Sequence, residues 1–132
     1  MRKRLILMCI LLVLLVTILF FEIRSICPLI TYVEEVFCGV VPTVKTDNTP
    51  LALYNYFNRI KSSYSVKCRI WPIFALHDFE KGYVWIRYEY WVYNEEGVLQ
   101  WGFSNRFPMA PSRWTIEKQD GEWKIVEIKE AV

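Results

Sequence analysis

Leu5 to Phe21 reads LILMCILLVLLVTILFF, seventeen residues without a charge, a glycine or a proline and with one hydroxyl, at Thr17. At a helical rise of about 1.5 Å per residue the run spans roughly 26 Å, close to the bilayer hydrocarbon thickness of about 30 Å. A helix apolar on every side is no core helix for so small a protein, because the roughly 110 remaining residues cannot cover it all round. The chain is expected to place residues 5–21 in a membrane and to fold its remaining C-terminal portion as a domain.

Arg2, Lys3 and Arg4 precede the run, and Glu22 and Arg24 open its far side. This bias predicts a cytoplasmic N-terminus and an extracytoplasmic remainder. A cleaved signal peptide is the competing reading, and it needs small residues at a cleavage site. The nearest candidate, Ser25-Ile26-Cys27 followed by Pro28, fits poorly, and no lipid-attachment box precedes Cys27. The expectation is an uncleaved single-pass anchor in the cell membrane.

The three N-terminal basic residues and Glu22 account for the net charge of +2, since from Arg24 onward thirteen Lys and Arg face thirteen Asp and Glu. A neutral domain without a basic run offers no footprint for nucleic acid. About 109 residues are enough for one core and too few for two. All six Trp lie in that portion, so large rings should dominate its interior.

Cys9 falls within the apolar run, which leaves Cys27, Cys38 and Cys68 on the far side. A disulfide is permitted there, and Cys27 with Cys38 is the pair closest in sequence, although spacing cannot fix connectivity. The alternative is three thiols packed as small apolar groups. No Cys-x-x-Cys occurs and His77 is the sole histidine, so neither a zinc site nor any other metal or cofactor is expected.

Pro28 to Cys38 carries Leu29, Val33, Val36 and Phe37 at helical spacing, with Pro28 at a first-turn position and Gly39 as a stop. It predicts a short amphipathic helix. Residues 40–48 have connector composition, and Thr49-Pro50 then caps a second helix with Leu51, Tyr54, Phe57 and Ile60 on one stripe. Strand chemistry takes over after Ser63. Val66 to Leu76 contains Pro72, which implies an edge position or a bulge. Tyr83 to Tyr93, Val98 to Phe107, Arg113 to Lys118 and Trp123 to Lys129 come next, the last two joined across Asp120-Gly121. Helices before a run of strands predict an α+β fold: the anchor, then two helices on an antiparallel sheet of four to five strands. The expected divisions are 1–23 (stub and anchor), 24–48 (short helix and connector) and 49–132 (the α+β domain).

On the strand Tyr83 to Tyr93, Arg87 and Glu89 share a face with Tyr83, Trp85, Trp91 and Tyr93, while Val84, Ile86, Tyr88, Tyr90 and Val92 form the other. A strand rich in rings on both sides must bury both. Either curvature does this within the chain, or one face docks on a second protein, for which Trp, Tyr and Arg are favoured. Trp85, Arg87, Glu89, Trp91 and Tyr93 are the candidate binding residues. His77 and Asp78, being adjacent, cannot act as a dyad if both lie in a strand.

Two features resemble the nuclear transport factor 2-like (cystatin-like) superfamily. One is Thr49-Pro50 leading into a helix with Tyr54-Asn55-Tyr56-Phe57; the other is the closing Asp120-Gly121-Glu122-Trp123-Lys124-Ile125-Val126-Glu127-Ile128. The resemblance covers roughly residues 49 to 130 and implies a curved sheet wrapped on helices as a cone. Anchored relatives of this kind are similar to small bacterial envelope proteins and to single-span assembly subunits, which serve as scaffolds or binding modules. Soluble enzymes of the superfamily include ketosteroid isomerases and polyketide cyclases. The resemblance thus implies a non-catalytic envelope module that binds a protein partner or a second copy of itself. The alternative is a hydrophobic-ligand or lyase-like site in the cone using Glu89 or Asp78. Without a second His, a Ser-His-Asp set or a phosphate loop, the residues disfavour a small-molecule reaction.

Overall fold

The computed structural model describes residues 1–38, 65–106 and 108–130. Among them the fold is α+β. Helix α1 (Arg2–Phe37) precedes strands β1 (Ser65–His77), β2 (Lys81–Tyr93), β3 (Leu99–Ser104), β4 (Ser112–Gln119) and β5 (Glu122–Lys129), which form one antiparallel sheet. The second expected helix, from Thr49, lies outside the described residues.

The anchor and the first amphipathic helix are one element. Pro28 does not open a new helix, as its first-turn pattern predicts, but sits inside α1, which runs unbroken for 36 residues, about 54 Å. Proline lacks the N–H that would bond the carbonyl of Arg24. Packing outweighs that loss: just before and after it, Ile26, Leu29, Ile30, Val33, Val36 and Phe37 are all buried. The apolar run itself is bare, with Leu5 to Phe21 mostly exposed by half or more. α1 is thus long and apolar enough to cross a membrane, and its last turns pack on the sheet.

Those turns meet the inner face of the sheet, where Ile70, Ala75, Val84, Ile86, Tyr88, Trp114, Ile116 and Ile125 complete the core. A smaller cluster of Phe37, Val66 and Val92 lies at the far end. β1 forms one margin of the sheet, and Pro72 occupies it beside a bulge between Pro72 and Phe74. Both outcomes allowed for a proline in a strand occur together. Pro72 has the same register parity as Ile70, whose N–H points off the sheet, so its missing donor breaks no ladder bond.

β3 and β4 pair end to end along the same side of β2, β3 with residues 89–93 and β4 with residues 81–86. Between them the chain leaves the sheet at Asn105 and returns at Ser112. Asn105 bridges the gap: its N–H donates to the carbonyl of Tyr88 at 3.1 Å. Its Oδ1 accepts from the N–H of Tyr88 at 2.7 Å, and its Nδ2 donates to the carbonyl of Ile86 at 3.3 Å. One buried side chain replaces the strand that is missing there. It also explains why β3 stops at Ser104; Phe107, the expected end of this strand, lies outside the described residues.

Asn105→Ala removes two buried hydrogen bonds and leaves the N–H of Tyr88 unpaired. We expect a loss of about 2–3 kcal/mol in unfolding free energy, read by denaturant titration in detergent. A loss under about 0.5 kcal/mol would show that Asn105 does not carry this junction.

Candidate functional site

Two places on the sheet carry chemistry beyond packing: the outer face of β2 and the junction of β1 with α1. All five candidate binding residues, Trp85, Arg87, Glu89, Trp91 and Tyr93, fall on the face turned away from α1, because the alternate positions Val84, Ile86, Tyr88 and Val92 are the buried ones. Their roles differ. Arg87 turns to the excursion between β3 and β4, where its Nη1 donates to the carbonyl oxygens of Asn105 and of Met109, the latter at 2.8 Å. Glu89 is 6% exposed although it lies on the outer face, and Arg106 from the same excursion covers its carboxylate with an ion pair. The expected charged pair therefore serves the chain itself: Arg87 holds Asn105 and Met109, and Glu89 holds Arg106.

The rings remain. Trp91 stands half-buried against Gly102, where an added Cβ would lie 3.1 Å from the indole. Lys67 covers Tyr93 at 5.3 Å. Towards the other end of the strand, Tyr83 and Trp85 approach at 6.1 Å, Phe74 meets Trp85 at 5.4 Å, and the Arg113 guanidinium lies 5.0 Å over the ring of Tyr83. Trp71, Phe74, Leu76 and Tyr83 are exposed there, at 37%, 37%, 57% and 42%. No described element covers this band. The register identifies its neighbours across strands: Leu76 opposite Tyr83, Phe74 opposite Trp85, Trp71 opposite Arg87. Arg113, opposite Trp85, has a buried Nε without a hydrogen-bond partner among the described residues.

The second place joins the sheet to the end of the apolar run. Tyr88 uses its backbone N–H and C=O on Asn105, so Ile70, opposite it, turns its own N–H to the free margin of β1. There Glu34 of α1 accepts it at 2.7 Å. Seven residues on, Glu22 accepts the N–H of His77 at 3.0 Å. The carboxylates are twelve residues apart on the helix, about 18 Å, and so can reach two donors on an antiparallel strand.

His77, with its side chain fully buried, gathers further contacts at this point. Its Nδ1 accepts from the N–H of Phe79 at 3.2 Å, which leaves the proton of the neutral ring on Nε2. Nε2 lies 2.7 Å from Ser25 Oγ and 3.0 Å from a carboxylate oxygen of Glu22, while Ser25 Oγ donates to the Glu22 carbonyl. Serine, histidine and glutamate thus meet, but not as a hydrolytic triad: hydroxyl and carboxylate share one ring nitrogen, and that nitrogen holds the proton it would have to accept. The cluster is a structural joint.

Asp78, the other carboxylate considered for chemistry, lies in the exposed turn after β1. Its Oδ1 accepts from the N–H groups of Lys81 at 2.8 Å and Glu80 at 3.0 Å, and these bonds hold its carboxyl below the ordinary value of 3.8. Neither Asp78 nor Glu89 reaches the space between α1 and the sheet, which the core side chains fill. An open cleft of about 390 Å³ lies instead between α1 and the β4–β5 hairpin, bounded by Ser25, Leu29, Tyr32, Lys118 and Trp123. Among the described residues no cluster of three His, Cys, Asp or Glu could hold a metal ion.

The bridge suggested by proximity in sequence, Cys27 to Cys38, is corrected by the helix. Eleven residues of α1 separate the two by about 16 Å, against a Cα separation of at most about 7 Å for a disulfide. Neither is bonded to the other. Sequence reasoning also missed Glu22 and Glu34 as edge acceptors, Asn105 as a strand substitute and Arg106 as the partner of Glu89. Of these, Asn105 alone left a trace, as a turn-forming residue between a strand pattern and Pro108.

Comparison with protein-family models, with curated proteins and with solved structures gives no match.

The Asp78 turn gives a pH prediction. A carboxyl depressed in the folded state contributes above its unfolded pKa and loses that contribution as pH falls through its folded value. The amide proton shifts of Glu80 and Lys81, followed by NMR in micelles, should titrate together with a midpoint below 3.8. Asp78→Ala should abolish that titration; a midpoint above this value would refute the assignment.

Proposed function

We propose that the protein is a membrane-anchored, extracytoplasmic binding module without catalytic activity, which docks a second membrane protein or a second copy of itself through the outer face of its sheet. The observation that carries this reading is the exposed band of Trp71, Phe74, Leu76 and Tyr83, with Trp85 and Arg113 at its centre. Its composition is that of interface cores, with the Arg113 guanidinium over the ring of Tyr83. The band lies on the half of β2 that adjoins the turn at residues 78–80, next to Glu22 and the end of the apolar run. A partner anchored in the same bilayer meets it at matching height, which raises the effective concentration of the two surfaces.

Retention of the anchor is supported by the junction. Cleavage near Ser25 to Cys27 would remove Glu22, and with it the acceptor for the N–H of His77. The basic flank at Arg2, Lys3 and Arg4 favours an N-terminus inside and a sheet outside. Within this reading the domain is of the nuclear transport factor 2-like kind, the closing hairpin from Asp120 to Ile128 being the motif that supports it.

Carbonate-washed membranes should retain the full-length chain, and protease added outside intact cells should remove the sheet. A photoreactive residue at position 71 or 83 should cross-link to another protein or to a second copy. Trp71→Glu combined with Tyr83→Glu should weaken that capture at least about 30-fold, as for two interface rings of about 1 kcal/mol each, with the melting temperature unchanged. Cross-links confined to the chain's own residues would overturn the docking role.

A further inference from the structure

The thiol that α1 brings to β1 belongs to Cys38. It ends the helix in a right-handed helical conformation at φ −78°, and its N–H still bonds the carbonyl of Glu34 at 2.9 Å. This fixes it one turn beyond Glu34, whose carboxylate holds the edge N–H of Ile70. Two residues back along the margin, Cys68 has the same parity, and its N–H points to the sulfur of Cys38. Cys38 and Cys68 line one cleft together with Lys67, Arg69 and Trp91. Both thiols are free in this structure, and the closeness of the two residues is what would let their sulfurs be brought together into an S–S bond.

We infer that Cys38 and Cys68 are joined by a disulfide in the exported protein, closing the end of α1 onto the start of β1. Cys9 sits in the apolar run and Cys27 stands on the exposed side of α1, so the pair resolves the odd count on the far side of the membrane. The oxidant is an external protein disulfide of the thiol-oxidoreductase class. The thiolate of Cys38, the helix-terminal member, attacks one sulfur of that disulfide; Cys68 attacks the mixed disulfide at Cys38. The oxidant leaves as a dithiol, carrying the two electrons and two protons that the pair has lost.

Burial pushes both thiols above their ordinary value of 9.0, Cys68 further because it is the more deeply buried, with Cys38 beside it adding to the rise. A dithiol without a stabilised thiolate gains nothing from staying reduced, unlike the low-pKa pairs of exchange catalysts. The bond is therefore structural. It joins positions 38 and 68, thirty residues apart, and loops of that length give a cross-link a large entropic effect on the unfolded chain.

This inference rests on the outward orientation proposed above, and the experiment separates the two. Intact cells making the full chain are treated with a membrane-impermeant maleimide, then denatured without reductant, alkylated, digested and analysed by mass spectrometry. We expect Cys27 labelled from outside and Cys38 and Cys68 in one cross-linked peptide that separates on reduction. Cys38→Ser should free Cys68 for alkylation and lower the melting temperature by about 10 °C or more. Outside labelling of Cys27 with Cys38 and Cys68 both alkylated before reduction would overturn the disulfide while leaving the anchor standing. An unlabelled Cys27 with all thiols free would overturn both.

Discussion

A β-strand at the margin of a sheet presents unpaired N–H groups, and the one between β1 and solvent is met by the same helix that carries the apolar run. Glu34 takes the N–H of Ile70 and Glu22 takes that of His77, while Ile26, Leu29, Ile30 and Val33 fill the inner face between them. Charge-assisted bonds from carboxylates to backbone N–H are among the stronger hydrogen bonds, and here they also protect a strand edge from pairing with another chain. Two acceptors so far apart fix both the distance and the direction of α1 relative to β1. A single contact would allow the helix to pivot; two do not.

The opposite side of β2 is organised by a gap. Because β3 and β4 share one side of the strand without meeting, the segment between them must be held by side chains. Asn105 holds the backbone of Tyr88 and Ile86, and Arg87 and Glu89 reach the segment from the outer face. A pair that looks from the sequence like a charged centre for docking is thereby engaged within the chain, Glu89 buried and Arg87 half-buried. The exposed chemistry moves along the strand to Tyr83 and its neighbours Phe74 and Leu76 on β1; the rings of Tyr83 and Phe74 meet Trp85, and that of Tyr83 meets Arg113, but no other described element covers them. Position along β2 decides which of its outer-face side chains the rest of the chain engages.

What the sequence made legible were the local patterns. The apolar run, the helical stripe from Leu29 to Phe37, the strands and the Asp120-Gly121 turn depend on nearest neighbours and on period, and all are present, Asp120 and Gly121 both at positive φ. Pro28 misleads because a first-turn proline and a tolerated internal proline look alike until the packing on both sides is known. The alternation of β2 puts the five candidate residues on one face, yet it cannot distinguish Arg87 and Glu89, held by Asn105, Arg106 and Met109, from rings that pack on their neighbours in the sheet. Pairings such as Glu22 with His77 join residues 55 apart, and no local pattern encodes them.

The continuity of α1 has a mechanical consequence for a docking surface. A module on a flexible linker samples many heights and angles above a membrane, and its effective concentration for an anchored partner falls as that volume grows. Here no linker intervenes: the residue after the apolar run, Glu22, already bonds the sheet, and Ser25, Ile26 and Leu29 are in the joint or the core. Tilting the helix therefore tilts the sheet. In the proposed docking role, the face bearing Trp71, Phe74 and Tyr83 would be held close to the plane where the apolar residues end, and an anchored partner would meet it at that level. On that proposal, the joint that stabilises β1 also sets the geometry of docking.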